Sequence, residues 1–402
     1  MTAKLYENDS MLKSCEATVL DCRRKDDHYE VLLDRTVIFP EGGGQLSDRG
    51  LLDSEPVFYA SEEGENVWHW TKKPLETGRK VTVTLDWDVR LDRMQQHCGE
   101  HMLSYAFWKS CGANNVGFHM NEASVFIDLD KEVSEDEVKK AELLTNRAIW
   151  ENDPITVHYV QHTELGRFNL RKKNEKLRGT VRLVAVENGD TCTCCGTHPP
   201  FTGMVGCVKV LRFVRHKGGS RIEFLCGRRA VEEMYRRNLI LEKTSNVLSV
   251  KTGEVLDAVN KLHQEVLDLH AALREQRQKL FRHELPGILS AAPVLAGGTK
   301  FIWIAAEGTP ADGKSIMKLV SGQDHVFAAV LVHSGAKVMY QFASTAGAAV
   351  NCREVCQLAN TAFAGRGGGS PASAQGGGTA GDDWKEKAEA LRQQVLAGPA
   401  KG

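Results

Sequence analysis

The amino-acid sequence predicts an α+β protein made of four consecutive parts. The 402 residues are 42% hydrophobic and 26% charged, which is enough chain and enough apolar side chains for two or three domains. Turn-punctuated β-branched segments dominate the beginning, helical and strand-like patterns alternate in the middle, and one long heptad pattern follows. The predicted parts are residues 1–88, 89–230, 231–285 and 286–402.

The first two parts form a mixed domain in which strands and helices alternate. Residues 1–88 are predicted as a β-rich subdomain, with strands at 19–22, 29–33, 36–39 and 80–87 and a glycine triplet, Gly42-Gly43-Gly44, after the third. Residues 89–230 are predicted as an α+β core, with helices at 88–108 and 134–150 and strands at 125–129, 181–186, 208–213 and 222–225.

Residues 231–285 are predicted as a helical, coiled-coil segment. Apolar residues recur there at alternating steps of four and three, at Val255, Val259, Leu262, Val266, Leu269, Leu273 and Leu280, with one seam position taken by Gln276. Such a heptad seam requires a partner helix. Two partners are open: residues 234–250 of the same chain, beyond a break at Gly253, or a second chain in a homodimer.

The last part, residues 286–402, is predicted as a small α/β domain that Pro286 and Gly287 open. Strands are expected at 301–306, 325–332 and 337–342, and helices at 352–363 and 384–396 on either side of a glycine tract at 365–378. By composition alone, that tract is typical of a flexible linker.

Charge and targeting patterns exclude several classes of protein. The net charge of −1 does not indicate a nucleic-acid binder, so RNA contacts would come from local clusters such as Arg167, Arg171 and Lys172. A charge run by itself is more typical of a solvated surface. No segment approaches the roughly 18 apolar residues of a membrane span, and no signal-peptide pattern begins the chain. The 11 cysteines lack the spacing of a disulfide scaffold, so we expect a cytoplasmic protein.

A metal site is predicted from two separate segments. His97 and His101 stand one helical turn apart, so both imidazoles can face one cation. Residues 192–198 (Cys-Thr-Cys-Cys-Gly-Thr-His) add three thiols and an imidazole at a turn between strands. A tetrahedral set of nitrogen and sulfur ligands favours Zn²⁺ over harder cations.

The alternative is a self-contained site in which Cys192, Cys194 or Cys195 binds with His198 and the helical histidines take no part. In the two-segment site, imidazoles outnumber thiolates whichever cysteine binds. A histidine-rich site leaves more positive charge on the metal, which favours catalysis or substrate positioning over a purely structural role.

Four motifs occur in the order found in alanyl-tRNA synthetase editing proteins, a combination more specific than any one of them. Residues 39–45 (Phe-Pro-Glu-Gly-Gly-Gly-Gln) resemble the family's glycine motif, residues 94–104 its HxxxH helix, residues 194–198 (Cys-Cys-Gly-Thr-His) its CxxxH element, and residues 365–378 the glycine signature of the C-terminal C-Ala domain. The chain starts at the editing-like part, with no room for a synthetase catalytic domain. It therefore resembles AlaX, the free-standing trans-editing proteins, in the long form.

The resemblance implies zinc-dependent hydrolysis of tRNA(Ala) mischarged with serine, and also with glycine, in support of translational fidelity. The implied zinc ligands are His97, His101, Cys194 and His198, and the implied substrate-facing residues are Cys98, Gly43, Gly44 and Gln45. With the basic cluster, the implied tRNA contacts are Arg167, Arg171, Lys172, Gly376 and Gly377. Residues 286–402 are then a C-Ala-like part that binds tRNA and dimerises.

Three positions bear on these roles. Cys98 stands where the family usually has Thr or Ser, and a thiol is a weaker hydrogen-bond donor than a hydroxyl, which weakens strict selection for serine. Cys195 stands where the family has glycine and competes with Cys194 as a ligand. Glu100 lies third after His97, not adjacent as in HExxH enzymes, so a solvated position or one behind the ligands is favoured over a general base.

Three other functions stay open at this point. The first is editing of a different aminoacyl-tRNA, because threonyl-tRNA synthetase editing domains share the HxxxH element. The second is a zinc-containing tRNA-binding protein without catalysis. The third is hydrolysis of another small ester or amide, which the C-Ala-like tail disfavours.

Overall fold

A computed structural model of the chain describes residues 1–168, 170–171, 178–295, 297–345 and 350–397. The chain divides into two compact units, Met1–Lys243 and Thr244–Gly402. Helices and strands both contribute substantially to each unit, which confirms the predicted α+β class. None of the helices in these ranges combines the length and apolar composition that a bilayer crossing demands.

The first unit begins with an antiparallel sheet in the order β6-β5-β9-β2-β3-β8-β7. The strands up to this point of the chain are β1 (Ala3–Lys4), β2 (Ser14–Lys25), β3 (His28–Leu33), β4 (Arg35–Thr36), β5 (Gly50–Leu52), β6 (Glu55–Val57), β7 (Tyr59–Glu63), β8 (Asn66–Thr71) and β9 (Lys80–Leu85). The first residues of β2 pair with β9 and the later ones with β3, so this strand joins the two halves of the sheet. Alternate residues such as Val31, Leu33, Val81 and Val83 fill the core.

A central helix, α1 (Trp87–Cys111), follows directly. The Asp86 side chain caps its first turn by accepting the backbone N–H of Val89, and Gly112 ends it in the left-handed conformation. The elements after α1 are β10 (Asn115–Met120), β11 (Val125–Leu129), α2 (Glu135–Glu151), β12 (Ile155–Gln161), β13 (Thr180–Val186), β14 (Thr191–Thr193), β15 (Val208–His216), β16 (Gly219–Cys226) and α3 (Gly227–Leu248). They form the sheets β10-β11-β16-β15 and β12-β13-β14.

One hydrophobic core joins α1 to these elements. Leu103 and Phe107 of α1 pack with Ile127 of β11 and with Ile222 and Phe224 of β16, all of them buried. Because α1 is enclosed on most sides, even polar residues along it are buried, which places the histidine face inside the protein. The fold therefore buries the histidine-bearing face of α1 next to β13 and β14.

The second unit is a sheet covered by helices. Its elements are α4 (Val255–Ala291), β17 (Lys300–Glu307), α5 (Pro310–Val320), β18 (Val326–Ser334), β19 (Lys337–Ser344), α6 (Cys352–Ala362), β20 (Arg366–Gly369), β21 (Ser373–Thr379) and α7 (Trp384–Leu396). The sheet order is β17-β18-β19-β21-β20, with β17 and β18 parallel and the other pairs antiparallel. The glycine tract, for which composition favours a linker, forms much of the β20–β21 hairpin.

The expectation that Pro286 opens a new region is wrong, because α4 continues through this residue to Ala291. A proline inside a helix removes one backbone hydrogen bond and crowds the preceding turn. Tertiary packing offsets this cost: Phe281 and Leu285 before the proline are buried against Ile302 and Val326 of the sheet, and Ile288 and Leu289 after it pack against the same cluster. Packing on both sides of the proline therefore decides the conformation here.

Candidate metal centre

The helix α1 supplies two of the predicted metal ligands. His97 and His101 lie one turn apart with ring centroids 4.9 Å from each other. His97 is buried, whereas 15% of the His101 side chain is exposed to solvent. Phe118 of β10 packs edge-on against His97 at 5.8 Å. The helix therefore presents both imidazoles side by side, with solvent access at the His101 end.

The loop after β14 supplies the other two ligands, Cys194 and His198, both buried. Arg182 of β13 fixes this loop, because its Nη1 group donates to the backbone carbonyls of Cys194 and Gly196 at 2.8 and 3.0 Å. A Cβ atom at Gly196 would lie 2.6 Å from His97 Nε2, so only glycine lets the loop approach the helix this closely.

Four ligand atoms converge between the helix and the loop. The Sγ atom of Cys194 lies 2.9 Å from His97 Nε2 and 3.3 Å from His198 Nε2, and the Nε2 atoms of His97 and His101 are 3.2 Å apart. All four atoms lie within 4.8 Å of one another. The edges of a tetrahedron with zinc–ligand bonds of about 2.0–2.3 Å are roughly 3.3–3.6 Å long, so the three distances given above lie within about 0.7 Å of those that zinc requires.

Burial also sets the protonation of these groups. It lowers the pKa of His97 to about 3 and that of His101 to about 4, so both imidazoles are neutral at pH 7 and free to bind a metal. Burial raises the pKa of Cys194 to about 12, so its thiol keeps its proton until a cation displaces it.

The three cysteines of this segment occupy different positions. Cys195 is exposed. Cys192 is buried but lies on the other side of His101, with its Sγ atom 3.2 Å from His101 Nδ1. Among these three thiols, only the Cys194 Sγ atom lies beside the Nε2 atoms of the histidines. The geometry therefore favours Cys194 over Cys192 and Cys195 as the metal ligand.

Gln45 holds the ligand loop from the N-terminal sheet. Its Nε2 group donates to Thr197 Oγ1 at 2.8 Å and its Oε1 accepts the backbone N–H of Thr197 at 3.0 Å. The sequence analysis predicted that the Gln45 amide faces the substrate. In the structure, this side chain is fully buried, and both of its polar atoms bond the ligand loop. Gly44, next to it, has φ +83° and would place a Cβ atom 2.6 Å from Phe118, whereas Gly43 has open space around it.

A buried ion pair ties the same region to α1. The Arg90 Nε group donates to Asp48 Oδ2 at 2.7 Å, and both side chains are fully buried. Arg90 also donates to the carbonyl of Ser10, whose hydroxyl donates to the carbonyl of His198. The N-terminal segment thus reaches the last ligand of the loop directly.

Cys98 and Glu100, which lie between the two histidines in the sequence, are both buried. Cys98 lies in the hydrophobic core beside α1, and burial raises the pKa of its thiol. Glu100 accepts hydrogen bonds from Ser104 and Asn115, and its Oε2 lies 3.8 Å from His101 Nε2. Glu100 is thus fixed close to the centre, and the solvated position considered for it does not occur.

The basic cluster separates into surface and interior residues. Arg167 is 78% exposed and pairs with Glu164. Arg171, in contrast, is 8% exposed and pairs with the buried Asp190, so its guanidinium faces the interior and not an RNA-binding surface. Lys172 lies outside the described residues.

Gly376 and Gly377 lie in β21 of the second unit, opposite Tyr340 and Met339 of β19. They line a groove of about 700 Å³. Three exposed basic residues also line it: Lys314, Lys337 and Arg366. None of these three forms an ion pair within the part of the chain that the structure describes.

Sequence reasoning missed two residues of the centre. Arg182 looked like one more residue of the basic cluster, and the strand pattern at 181–186 places it on β13 without revealing its carbonyl partners. No sequence pattern singled out Phe118, and its neighbour His119 is 55% exposed and stacks on Phe126.

Comparisons with known proteins match most of this chain. A family profile described as the threonyl and alanyl tRNA synthetase second additional domain matches residues 181–223. The alanyl-tRNA editing protein AlaX-L of Pyrococcus horikoshii is 34% identical over 300 residues, which cover 71% of this chain and 74% of that protein. An alanyl-tRNA editing protein of Bos taurus is 28% identical over 273 residues, covering 64% of this chain and 62% of that protein.

Two further matches are partial. The alanine–tRNA ligase of Pyrococcus furiosus is 30% identical over 328 residues, which cover 77% of this chain but only 35% of that ligase. The C-Ala domain of Aquifex aeolicus alanyl-tRNA synthetase matches 25% of this chain and 95% of its own at 24% identity, with a TM-score of 0.23 that is too low to establish a shared fold. The identity to AlaX-L and its extent show that this chain belongs to the AlaX-L family of alanyl-tRNA editing proteins.

Proposed function

We propose that this chain is a trans-editing hydrolase that removes a wrongly attached serine, and also glycine, from tRNA(Ala) at a zinc centre. The observation that carries the proposal is the convergence of His97, His101, Cys194 and His198 in a member of the editing family. Trans-editing means that the mischarged tRNA is released by a synthetase and bound afresh by this protein.

The need for such a reaction follows from the limits of binding selectivity. An alanine pocket cannot exclude glycine, which is smaller, and it rejects the added hydroxyl of serine poorly. A difference of one small group supplies only about 1–3 kcal/mol of discrimination, so a second site must inspect the product.

The four converging residues would hold the zinc ion through three imidazole nitrogens and one thiolate. When bound, zinc would polarise the ester carbonyl or anchor the amine or hydroxyl of the amino acid. Four protein ligands leave little room for a further ligand, which favours positioning of the substrate. The more exposed edge of His101 marks the direction from which an aminoacyl end would approach.

The protein itself holds the centre in place and shields most of it from solvent. Arg182 and Gln45 fix the loop that carries Cys194 and His198, and Phe118 covers His97. A centre that is held in this way loses little order when the substrate binds, which is the basis of efficient positioning. Gly43 and Gly44 stay proposed as substrate contacts because their backbone amides border this region.

Selection among acyl groups is proposed to depend on Cys98. A thiol donates a weaker hydrogen bond than the hydroxyl that the family usually has there. We expect Cys98→Thr to increase the ratio of the serine to the glycine deacylation rate several-fold, measured as kcat/KM on both charged tRNAs. An unchanged ratio would remove Cys98 from substrate selection.

The second unit is proposed to bind the body of the tRNA. Its groove combines three exposed cations with a glycine-lined strand, Gly376 and Gly377, whose backbone admits close approach of a phosphate. On the first unit, Arg167 is the exposed basic residue of the cluster and is proposed as a further contact.

The experiment is deacylation of Ser-tRNA(Ala), Gly-tRNA(Ala) and Ala-tRNA(Ala) with and without a zinc chelator. We expect loss of serine or glycine, no loss of alanine, and inhibition by the chelator. His97→Ala should lose bound zinc and at least about 100-fold in rate, because loss of even an outer partner of a metal ligand costs about 10–100-fold. Cys195→Ala, an exposed cysteine of the same loop, serves as the matched control.

The other functions predict different results. Hydrolysis of another aminoacyl-tRNA with all three tRNA(Ala) substrates intact would indicate a different editing substrate. Tight tRNA binding and full zinc content without hydrolysis would indicate a binding protein. Full zinc content and activity in His97→Ala would contradict the proposed centre.

A further inference from the structure

His101 has a polar partner on each side of its imidazole ring. Its Nε2 faces the proposed zinc ligands, 3.2 Å from His97 Nε2, and its Nδ1 lies 3.2 Å from the Sγ atom of Cys192. An imidazole that binds a metal through Nε2 carries its proton on Nδ1. In zinc-bound protein, the Nδ1–H group of His101 would therefore donate a hydrogen bond to Cys192.

Strand geometry places Cys192 at this position. It lies in β14, and the strand-like pairing continues to Cys194 two residues later, whose backbone N–H donates to the Arg182 carbonyl of β13; alternate residues in such a segment point to the same side. Both thiols consequently face α1, one toward each side of His101. Cys192 is buried, and its backbone pairs with Val184 of β13, so the sulfur is held in place.

A buried carboxylate stands beside this sulfur. Asp190 precedes β14, and its side chain is only 3% exposed. Its Oδ2 accepts a hydrogen bond from Arg171 Nε at 3.0 Å, while its Oδ1 has no hydrogen-bond partner among the residues that the structure describes. The ligand atoms of His101, Asp190 and Cys192 lie within 4.8 Å of one another.

We propose that Cys192 and Asp190, with Asp190 anchored by Arg171, are positioning residues that select the Nδ1–H form of His101 and aim its Nε2 at the zinc ion. The proposal rests on the zinc centre proposed above but not on the identity of the substrate. It also gives the interior Arg171 a role, since its cation holds the carboxylate in place at the back of the ligand.

A second cation bound by His101, Asp190 and Cys192 is the competing arrangement. It is disfavoured because the Arg171 guanidinium already neutralises Asp190 and would repel a metal there. It would also require His101 to lose both ring protons in order to bridge two metals. Polar partners behind metal-binding histidines, in contrast, typically raise metal affinity about 10–100-fold.

The test measures zinc affinity in the full chain by competition with a chromophoric chelator. We expect one zinc ion per chain, an affinity about 10–100-fold lower in Cys192→Val, and recovery of most of it in Cys192→Ser, whose hydroxyl accepts the same hydrogen bond. Cys207→Val, at a half-buried cysteine of the same unit, controls for general loss of packing. In the cobalt-substituted protein, the thiolate charge-transfer band should persist in Cys192→Ser and disappear in Cys194→Ser.

Three results would overturn the proposal. Two zinc ions per chain, with one lost in Cys192→Val, would establish the second cation site. Loss of the charge-transfer band in Cys192→Ser would make Cys192 a direct ligand. An affinity in Cys192→Val equal to that of the control would remove any positioning role. Because these readouts need no tRNA, absence of deacylation would count against the proposed function alone.

Discussion

Cys194 is the thiol among the four proposed ligands, and its proton governs how the centre depends on pH. Burial raises its pKa to about 12 and lowers the pKa values of His97 and His101 to about 3 and 4. Between pH 6 and 8 the metal-free protein therefore carries a thiol proton and neutral imidazoles. Zinc displaces that single proton, so its dissociation constant should fall about tenfold for each unit of rising pH.

Chelator competition at pH 6, 7 and 8 measures this dependence. Cys194→His replaces the thiol by an imidazole that is already deprotonated, so its dissociation constant should stay nearly constant over the same range. A hundredfold fall in the zinc dissociation constant per pH unit in the unmodified chain would mean that two protons are displaced, so that a histidine is charged before zinc binds. A zinc dissociation constant that does not change with pH would mean that Cys194 is already a thiolate.

At the residue scale, spacing predicted which side chains meet but not how they are held. The interval between His97 and His101 is readable because a helix turn is fixed, and the structure brings this pair to Cys194 and His198 as expected. The bonds of Gln45 and Arg182 to the ligand loop depend on how distant segments meet, which no local pattern encodes. Arg171 and Arg182 resembled surface residues for the same reason, since a sequence shows charge but not its partner.

The heptad seam of α4 is largely exposed among the residues that the structure describes. Its leucines and valines from Val259 to Leu280 are 41–68% exposed. An exposed apolar stripe at heptad spacing, interrupted only at Gln276, favours pairing with the same helix of a second chain, the homodimer that the sequence left open.

We expect the protein to sediment as a dimer and Leu262→Glu/Leu269→Glu to sediment as a monomer. Each buried leucine contributes about 1.5–3 kcal/mol, so four lost across a dimer should weaken association at least about 1000-fold. Leu267→Glu is the matched control, because Leu267 is 46% exposed on the same helix but outside the seam. A monomeric unmodified protein would contradict the pairing.

Most helices and strands were predictable, because periodicities of 3.6 and 2 residues record which faces are buried. The helix α7 (Trp384–Leu396), for example, coincides with its predicted range. Other elements depend on tertiary contacts: α4 passes through Pro286 because both flanks pack on the sheet, and the glycine tract, which by composition alone is typical of a linker, forms strands because β19 offers it a hydrogen-bonding edge.

At the scale of the whole molecule, catalysis and tRNA capture are proposed to reside in different units. We expect Lys314→Glu/Lys337→Glu to raise KM for mischarged tRNA(Ala) about tenfold or more with unchanged kcat and zinc content. Each lost phosphate contact should also reduce the slope of log binding constant against log salt concentration by about one. Deacylation kinetics at several salt concentrations measure both effects.

Lys385→Glu is the control, since Lys385 is exposed but lies outside the groove. A short acceptor-stem substrate, which lacks the rest of the tRNA, should be hydrolysed equally by the double variant and the unmodified chain. An equal loss of activity on the short substrate would mean that the double substitution impairs the first unit. That result would contradict the proposed division of catalysis and tRNA binding between the units.

The separation of the ligands along the chain also governs when the protein can acquire its metal during synthesis. A ribosome adds about 5–20 residues per second, so roughly 5–20 s pass between His97 and His198. Until Cys194 and His198 are made, the nascent chain offers only two of the four proposed ligands, and Gln45 lacks the loop that it will hold. A copper or nickel ion captured by such a pair would not yet meet the sulfur and third nitrogen that complete the set. The choice of metal therefore belongs to the finished fold, after translation, when all four ligands compete together for the ion.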